Sequence, residues 1–218
     1  MKINWVKVFV CTCCVVSLLL TIFLFVSCDD KQKENAGSTP TTPSEVAKYK
    51  VGDTGPAGGI IFYVKDSYSE GWRYLEAAKN ALPDKYAWGS FGDFNSKTST
   101  NVGTGKSNTK ILLDAKAEKS SLSFPAAEAC ADYGKGTEYN DWFLPSEVEL
   151  IILMTKLEEI TGKTDTNRYW SSSEYITNVS WNAYTVQYEY VERTGYRGYD
   201  GYSTRRTTEY YVRPVRSF

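Results

Sequence analysis

Between Tyr188 and Arg206 the chain interleaves Tyr188, Tyr190, Tyr196, Tyr199 and Tyr202 with Arg193, Arg197, Arg205 and Arg206, separated by Gly195, Gly198, Gly201 and Ser203. Tyrosines on a glycine- and serine-rich frame are contact chemistry, because each ring offers a large area and a hydroxyl for little lost conformational entropy. Arginines among them can fork onto sulfate or carboxylate groups, so the stretch suits an anionic glycan or a protein surface. The same residues also suit a structural role, with tyrosines paired across strands and arginines along a solvated edge.

Other chemistries are poorly supplied. The chain has no histidine, which excludes His-dependent triads, His-ligated zinc and two-His iron sites. Asp141 and Glu174 are carboxylates that could flank a sugar bond, but nothing in their spacing pairs them. Gly103-Thr104-Gly105-Lys106-Ser107 imitates a phosphate loop, yet Thr100 stands where the first glycine belongs and no apolar strand leads in. No metal and no cofactor is therefore expected. The net charge of −1 also speaks against nucleic acid as a partner of the whole chain.

Of the cysteines Cys11, Cys13, Cys14, Cys28 and Cys130, only the last lies beyond the N-terminal apolar region. A single thiol makes neither an intradomain disulfide nor a cysteine metal cluster. Set among alanines in Ala126-Ala127-Glu128-Ala129-Cys130-Ala131, it reads as a buried, inert side chain.

Lys2 and Lys7 precede an uncharged run from Val8 to Val26, the n-region and h-region of a secretory signal, although the run is also long enough for an uncleaved anchor. Its ending, Leu24-Phe25-Val26-Ser27-Cys28-Asp29-Asp30, resembles a relaxed bacterial lipoprotein box, which implies cleavage after Ser27 and acylation of Cys28. Several acyl chains on one cysteine, at about 0.8 kcal/mol per buried CH₂, would hold the protein to its membrane. Asp29 to Ser44 is polar and cannot offset its ordering entropy by burial, so it reads as a tether. The expected organisation is a signal peptide over 1–27, the acylated cysteine and tether over 28–48, and one domain over 49–218. Loss of Lys2 and Lys7 takes the formal charge from −1 to −3.

The elements that must position the tyrosine-rich stretch are legible in order. Ile60 to Val64, Gly71 to Ala78 and Tyr86 to Gly89 read as strands after the turn-rich Gly52-Asp53-Thr54-Gly55-Pro56-Ala57-Gly58-Gly59. Helices are expected over Asn108 to Ala117 and over Pro125 to Tyr133, the second with Ser123 as N-cap. The firmest element follows Asn140-Asp141-Trp142-Phe143-Leu144-Pro145. Ser146 and Glu149 form a capping box, Leu150, Leu153, Met154, Leu157 and Ile160 give a helical stripe, and Gly162 ends it. So wide an apolar face suits a helix packed on a sheet. Strands are then expected over Arg168 to Glu174, Trp181 to Glu192 and Tyr210 to Arg216, with Arg193 to Thr208 as a loop. Pro214 marks an edge or the end of pairing.

Gly52 to Tyr63, Gly71-Trp72-Arg73-Tyr74-Leu75-Glu76-Ala77-Ala78, Asp141-Trp142-Phe143-Leu144-Pro145-Ser146, Tyr169-Trp170-Ser171-Ser172-Ser173-Glu174 and Val212-Arg213-Pro214-Val215-Arg216 together resemble the C-terminal domain of the Legionella collagen-like adhesin family, which is frequent in spirochaete lipoproteins. The Trp142-to-Leu150 segment and the closing Val-Arg are also similar to the formylglycine-generating-enzyme branch of the C-type lectin fold. The resemblance implies an α+β, C-type lectin-like domain: two to three helices on a mostly antiparallel, twisted β-region whose C-terminal part displays a variable ligand surface. Departures are clear. The enzyme branch needs active-site cysteines or histidines, and Trp181-Asn182-Ala183 lacks the following acid of the calcium signature, so calcium-dependent sugar binding is not expected. The reading is an envelope lipoprotein, on the outer membrane surface or a periplasmic face, whose non-enzymatic domain binds an anionic glycan or a partner protein. An envelope-assembly role and a carboxylate-based glycan-active enzyme are the alternatives.

Overall fold

The computed structural model describes residues 47–90, 97–176 and 181–218, all within one compact unit, Pro43–Phe218. The signal, Cys28 and nearly all of the tether lie outside the described residues. The first hairpin joins β1 (Ile60–Ser69) to β2 (Trp72–Ala77) through Glu70 and Gly71, both at positive φ (55° and 80°). Positive φ at both central residues is the turn that matches the natural twist of paired strands. β1 runs five residues further than its apolar run suggests. Its outer half is exposed and is held by side chains: Arg73 Nη2 donates to Asp66 O (2.9 Å), and Lys65 lies 3.9 Å from the centre of the Trp72 ring.

β3 (Tyr86–Ala87) is followed by helices α1 (Gly105–Glu118), α2 (Pro125–Asp132) and α3 (Glu147–Thr161). Three strands, β4 (Tyr169–Tyr175), β5 (Asn182–Val191) and β6 (Tyr196–Arg205), then form an antiparallel sheet in that order. β7 (Glu209–Tyr210) pairs with β3, and β8 (Val215–Ser217) pairs with the free edge of β2. The whole is mixed α+β with antiparallel sheets and three helices among the described residues. None of those helices is long and apolar enough to cross a membrane.

α3 is the packing centre. Ser146 Oγ accepts from Glu149 N, the Glu149 carboxylate accepts from Ser146 N at 2.8 Å, and Gly162 closes the helix at φ 67°. Leu150, Leu153 and Met154 are buried against Phe62 and Leu75 of the first sheet and Val186 of the second. Ile160 differs from its place in the stripe: it is exposed, in the last turn of the helix. A second core gathers Trp88, Leu112, Phe124, Cys130, Leu144 and Trp170 beneath α1 and α2. Cys130 is fully buried there, and burial pushes its thiol well up.

Two helix starts differ from the sequence expectation. α1 begins at Gly105 rather than Asn108, because the Glu149 carboxylate accepts from Gly103 N (2.7 Å) and Gly105 N (3.4 Å) across the chain. Thr104 stands at the cap without capping, its hydroxyl donating instead to Asn101 O. α2 is capped at Phe124, whose amide donates to Glu128 Oε1 (3.0 Å). Ser123 is not available as the cap, since its amide and carbonyl are both bonded to Ser90.

Candidate functional site

The expected loop from Arg193 to Thr208 is mostly strand. β6 pairs with β5 at every position from Tyr196 opposite Val191 to Arg205 opposite Asn182, around a turn closed by Gly195 at φ 68°. Glycine and arginine composition suggests a loop, but the backbone groups that β6 turns inward are paired by β5 along its whole length, which is a tertiary fact. Alternation then splits the tyrosines and arginines between two faces.

On one face, Tyr188 stands opposite Tyr199 with ring centres 5.4 Å apart, and Tyr190 stands opposite Arg197 with the guanidinium 5.0 Å from its ring centre. Towards the base of the hairpin this face meets α3. Tyr199 is accordingly buried, its hydroxyl accepting from Asp165 N at 2.9 Å, and burial pushes its pKa up. Towards the tip the face is free: Tyr190 is 54 % exposed. Arg193, in the turn, is exposed as well.

The opposite face carries Tyr196 and Tyr202. Tyr196 is 43 % exposed at the tip. Tyr202 is half-buried; desolvation first, and then a hydrogen bond with Glu189, raise its pKa to about 12, and Arg168 lies 5.3 Å from its ring centre. Arg168 Nε also donates to Gln187 Oε1 at 2.6 Å, so this face is a laced polar ladder.

Arg205 and Arg206 leave the group altogether. Arg205 is exposed at the far end of β6, roughly 30 Å of strand from Tyr196 at ~3.3 Å per residue. Arg206 is 2 % exposed, ion-paired with Glu174 and set 5.0 Å from the centre of the Trp88 ring. Burial lowers its pKa to about 10, and its carbonyl accepts from Trp88 N. It is a core side chain; of the tyrosines and arginines in this stretch, Tyr190, Arg193, Tyr196 and Arg197 stand exposed around the hairpin tip, with Tyr188 half-buried beside them.

The two carboxylates considered for glycoside chemistry are engaged in separate ion pairs. Asp141 takes a bidentate bond from Arg216 (Nε 2.7 Å, Nη2 3.2 Å), while Glu174 holds Arg206. Arg216 also reaches the buried Glu76 at 3.1 Å, and Glu76 Oε1 accepts from Ala57 N (3.1 Å) and Gly59 N (2.8 Å). The glycine-rich approach to β1 therefore wraps a buried carboxylate. A Cβ on Gly59 would collide with the Ala77 carbonyl, which is why the backbone must be bare there.

One perturbed group escaped the sequence reading. Glu147, at the first position of α3, has its pKa raised to about 7 by burial and then by the nearby Asp200 of β6. Its sequence neighbours carry no sign of this, because the contact joins residues far apart in the chain. Among the described residues no cluster of His, Cys, Asp and Glu is placed to hold a metal ion. No family model, curated protein or solved structure matches the chain.

Proposed function

We propose that this chain is an envelope lipoprotein, acylated at Cys28, whose C-type lectin-like domain binds an anionic glycan with the tip of the β5–β6 hairpin. The observation that carries the reading is the exposed pair of Tyr190 and Arg197, a guanidinium held over a ring across a two-stranded hairpin. Arginine stacked on an aromatic ring keeps its outer N–H edge for two oxygens of a sulfate or carboxylate, and the ring offers a face to a sugar. Arg193 in the turn adds a second cation. The three helices, the antiparallel hairpins and the motif resemblance support a lectin-like arrangement. The relaxed lipoprotein box and the polar tether support surface anchoring.

Binding of the full chain in detergent to an immobilised sulfated polysaccharide tests this. Affinity falls as salt rises, since exposed charge pairs are screened within about 10 Å at 0.1 M. Arg193→Ala with Arg197→Ala, and separately Tyr190→Ala, each weaken binding by about tenfold, on the order of 1.4 kcal/mol. Binding that survives both high salt and these variants sinks the proposal. For the anchor, acyl mass on a mature N-terminal Cys28 is expected, and retention of Met1 to Ser27 excludes it.

A further inference from the structure

A cleft of about 430 Å³ opens at the C-terminal end of α3, floored by Ile60, Met154 and Leu157 and rimmed by Lys79, Lys163 and Arg213. That volume lies in the roughly 300–1,000 Å³ range of small-molecule sites, and an apolar floor with a few convergent polar groups is their usual composition. Three cations face one carboxylate in it, Asp165. Asp165 is already engaged from within: it accepts the Tyr169 hydroxyl at 2.6 Å, Asn167 N at 2.9 Å and Asn167 Nδ2 at 2.8 Å.

Arg213 is the unusual member. It is 8 % exposed and held by carbonyls, Nε to Ala78 O (3.0 Å) and Nη2 to Lys79 O (2.6 Å). Its charge has no ion pair among the described residues, and Asp165 acts on it only through space. A guanidinium fixed by two carbonyls has already lost its rotamer freedom, so an incoming anion meets a donor that needs no ordering. Lys79 and Lys163 stand exposed at the mouth, where they add field without closing it.

We propose that this cleft binds a small carboxylic acid, with its carboxylate on Arg213 between Lys79 and Lys163 and its short apolar body on Ile60, Met154 and Leu157. The site is distinct from the hairpin tip and does not depend on glycan binding there.

The chain has two methionines, Met1 and Met154, so a methyl-labelled sample reports the cleft floor directly. In the full chain in detergent, benzoate is expected to shift the Met154 methyl signal saturably. Benzamide, of the same shape without the charge, is expected to leave it in place. Lys79→Ala with Lys163→Ala should weaken benzoate by about tenfold, and Thr166→Trp, an exposed rim change, should abolish the shift while the circular dichroism spectrum is unchanged. An unmoved Met154 signal, an equal response to benzamide, or benzoate binding unaltered in the lysine or Thr166 variants overturns the assignment.

Discussion

Glu149 and Gly103 are joined by a 2.7 Å hydrogen bond from the glycine amide to the carboxylate, although Gly103 lies in the turn before α1 and Glu149 in the first turn of α3. The same carboxylate serves Ser146 N in its own capping box and Gly105 N at the start of α1, so one side chain caps two helices. The loop that imitates a phosphate cradle already contains its anion. A Cβ on Gly105 would strike the Glu149 carboxylate, which accounts for the glycine. Glu149→Gln is expected to cost about 2–3 kcal/mol, since an amide group replaces an acceptor facing backbone donors and leaves buried N–H groups unpaired. Urea midpoints at constant slope measure it, and a loss below ~0.5 kcal/mol contradicts this role.

Glu147 governs a pH dependence. Its folded pKa is raised to about 7, above its ordinary value of 4.5, so the folded state holds more protons than the unfolded state between those values. Stability is therefore fully present below the lower value and is lost as pH rises through the upper one. The facing groups are Asp200 of β6 and Tyr184 of β5. Glu147→Gln is expected to flatten stability between about pH 5 and pH 7. At pH 8 it should be more stable than the native chain by on the order of 1 kcal/mol, a figure already reduced for the partial exposure of the side chain. Thermal melts across that range decide the matter, and parallel curves for the two proteins would refute it.

Arg206 and Glu174 form a pair in which both members are almost fully buried. Removing one strands a charge, which costs about 3–5 kcal/mol, whereas replacing both with apolar residues of similar size is close to neutral. Arg206→Met should thus destabilise far more than Arg206→Met with Glu174→Leu. Additive losses in a double-mutant cycle would show instead that the two side chains act separately.

Gly59→Ala is expected to destabilise by about 2–4 kcal/mol, because the obstacle is the Ala77 backbone rather than a flexible side chain. Gly58, at φ 78° with open space around it, tests the mechanism by contrast: Gly58→Asn, a residue that tolerates the left-handed region, should cost under ~1 kcal/mol. Equal losses at the two positions would remove the explanation from the packing around Glu76.

Features governed by neighbours in sequence were legible without a structure. The capping box, the apolar stripe of α3 as far as Leu157 and the stop at Gly162 all depend on residues within four of one another, and they appear as read. The strands β2 and β4, which open on aromatic residues, and β5, with its alternating tyrosines, valines and polar residues, were likewise read from consecutive residues. What the tertiary structure alone decided are the pairings that span the chain. Tyr196 to Arg205 becomes a strand because β5 supplies its hydrogen bonds, despite a composition suited to a loop. Arg206 becomes core because Glu174 and Trp88 wait for it, and Tyr199 because α3 lies beneath its face. Local propensity is written in consecutive residues, but whether a tyrosine or an arginine faces water depends on which surface another part of the chain brings against it.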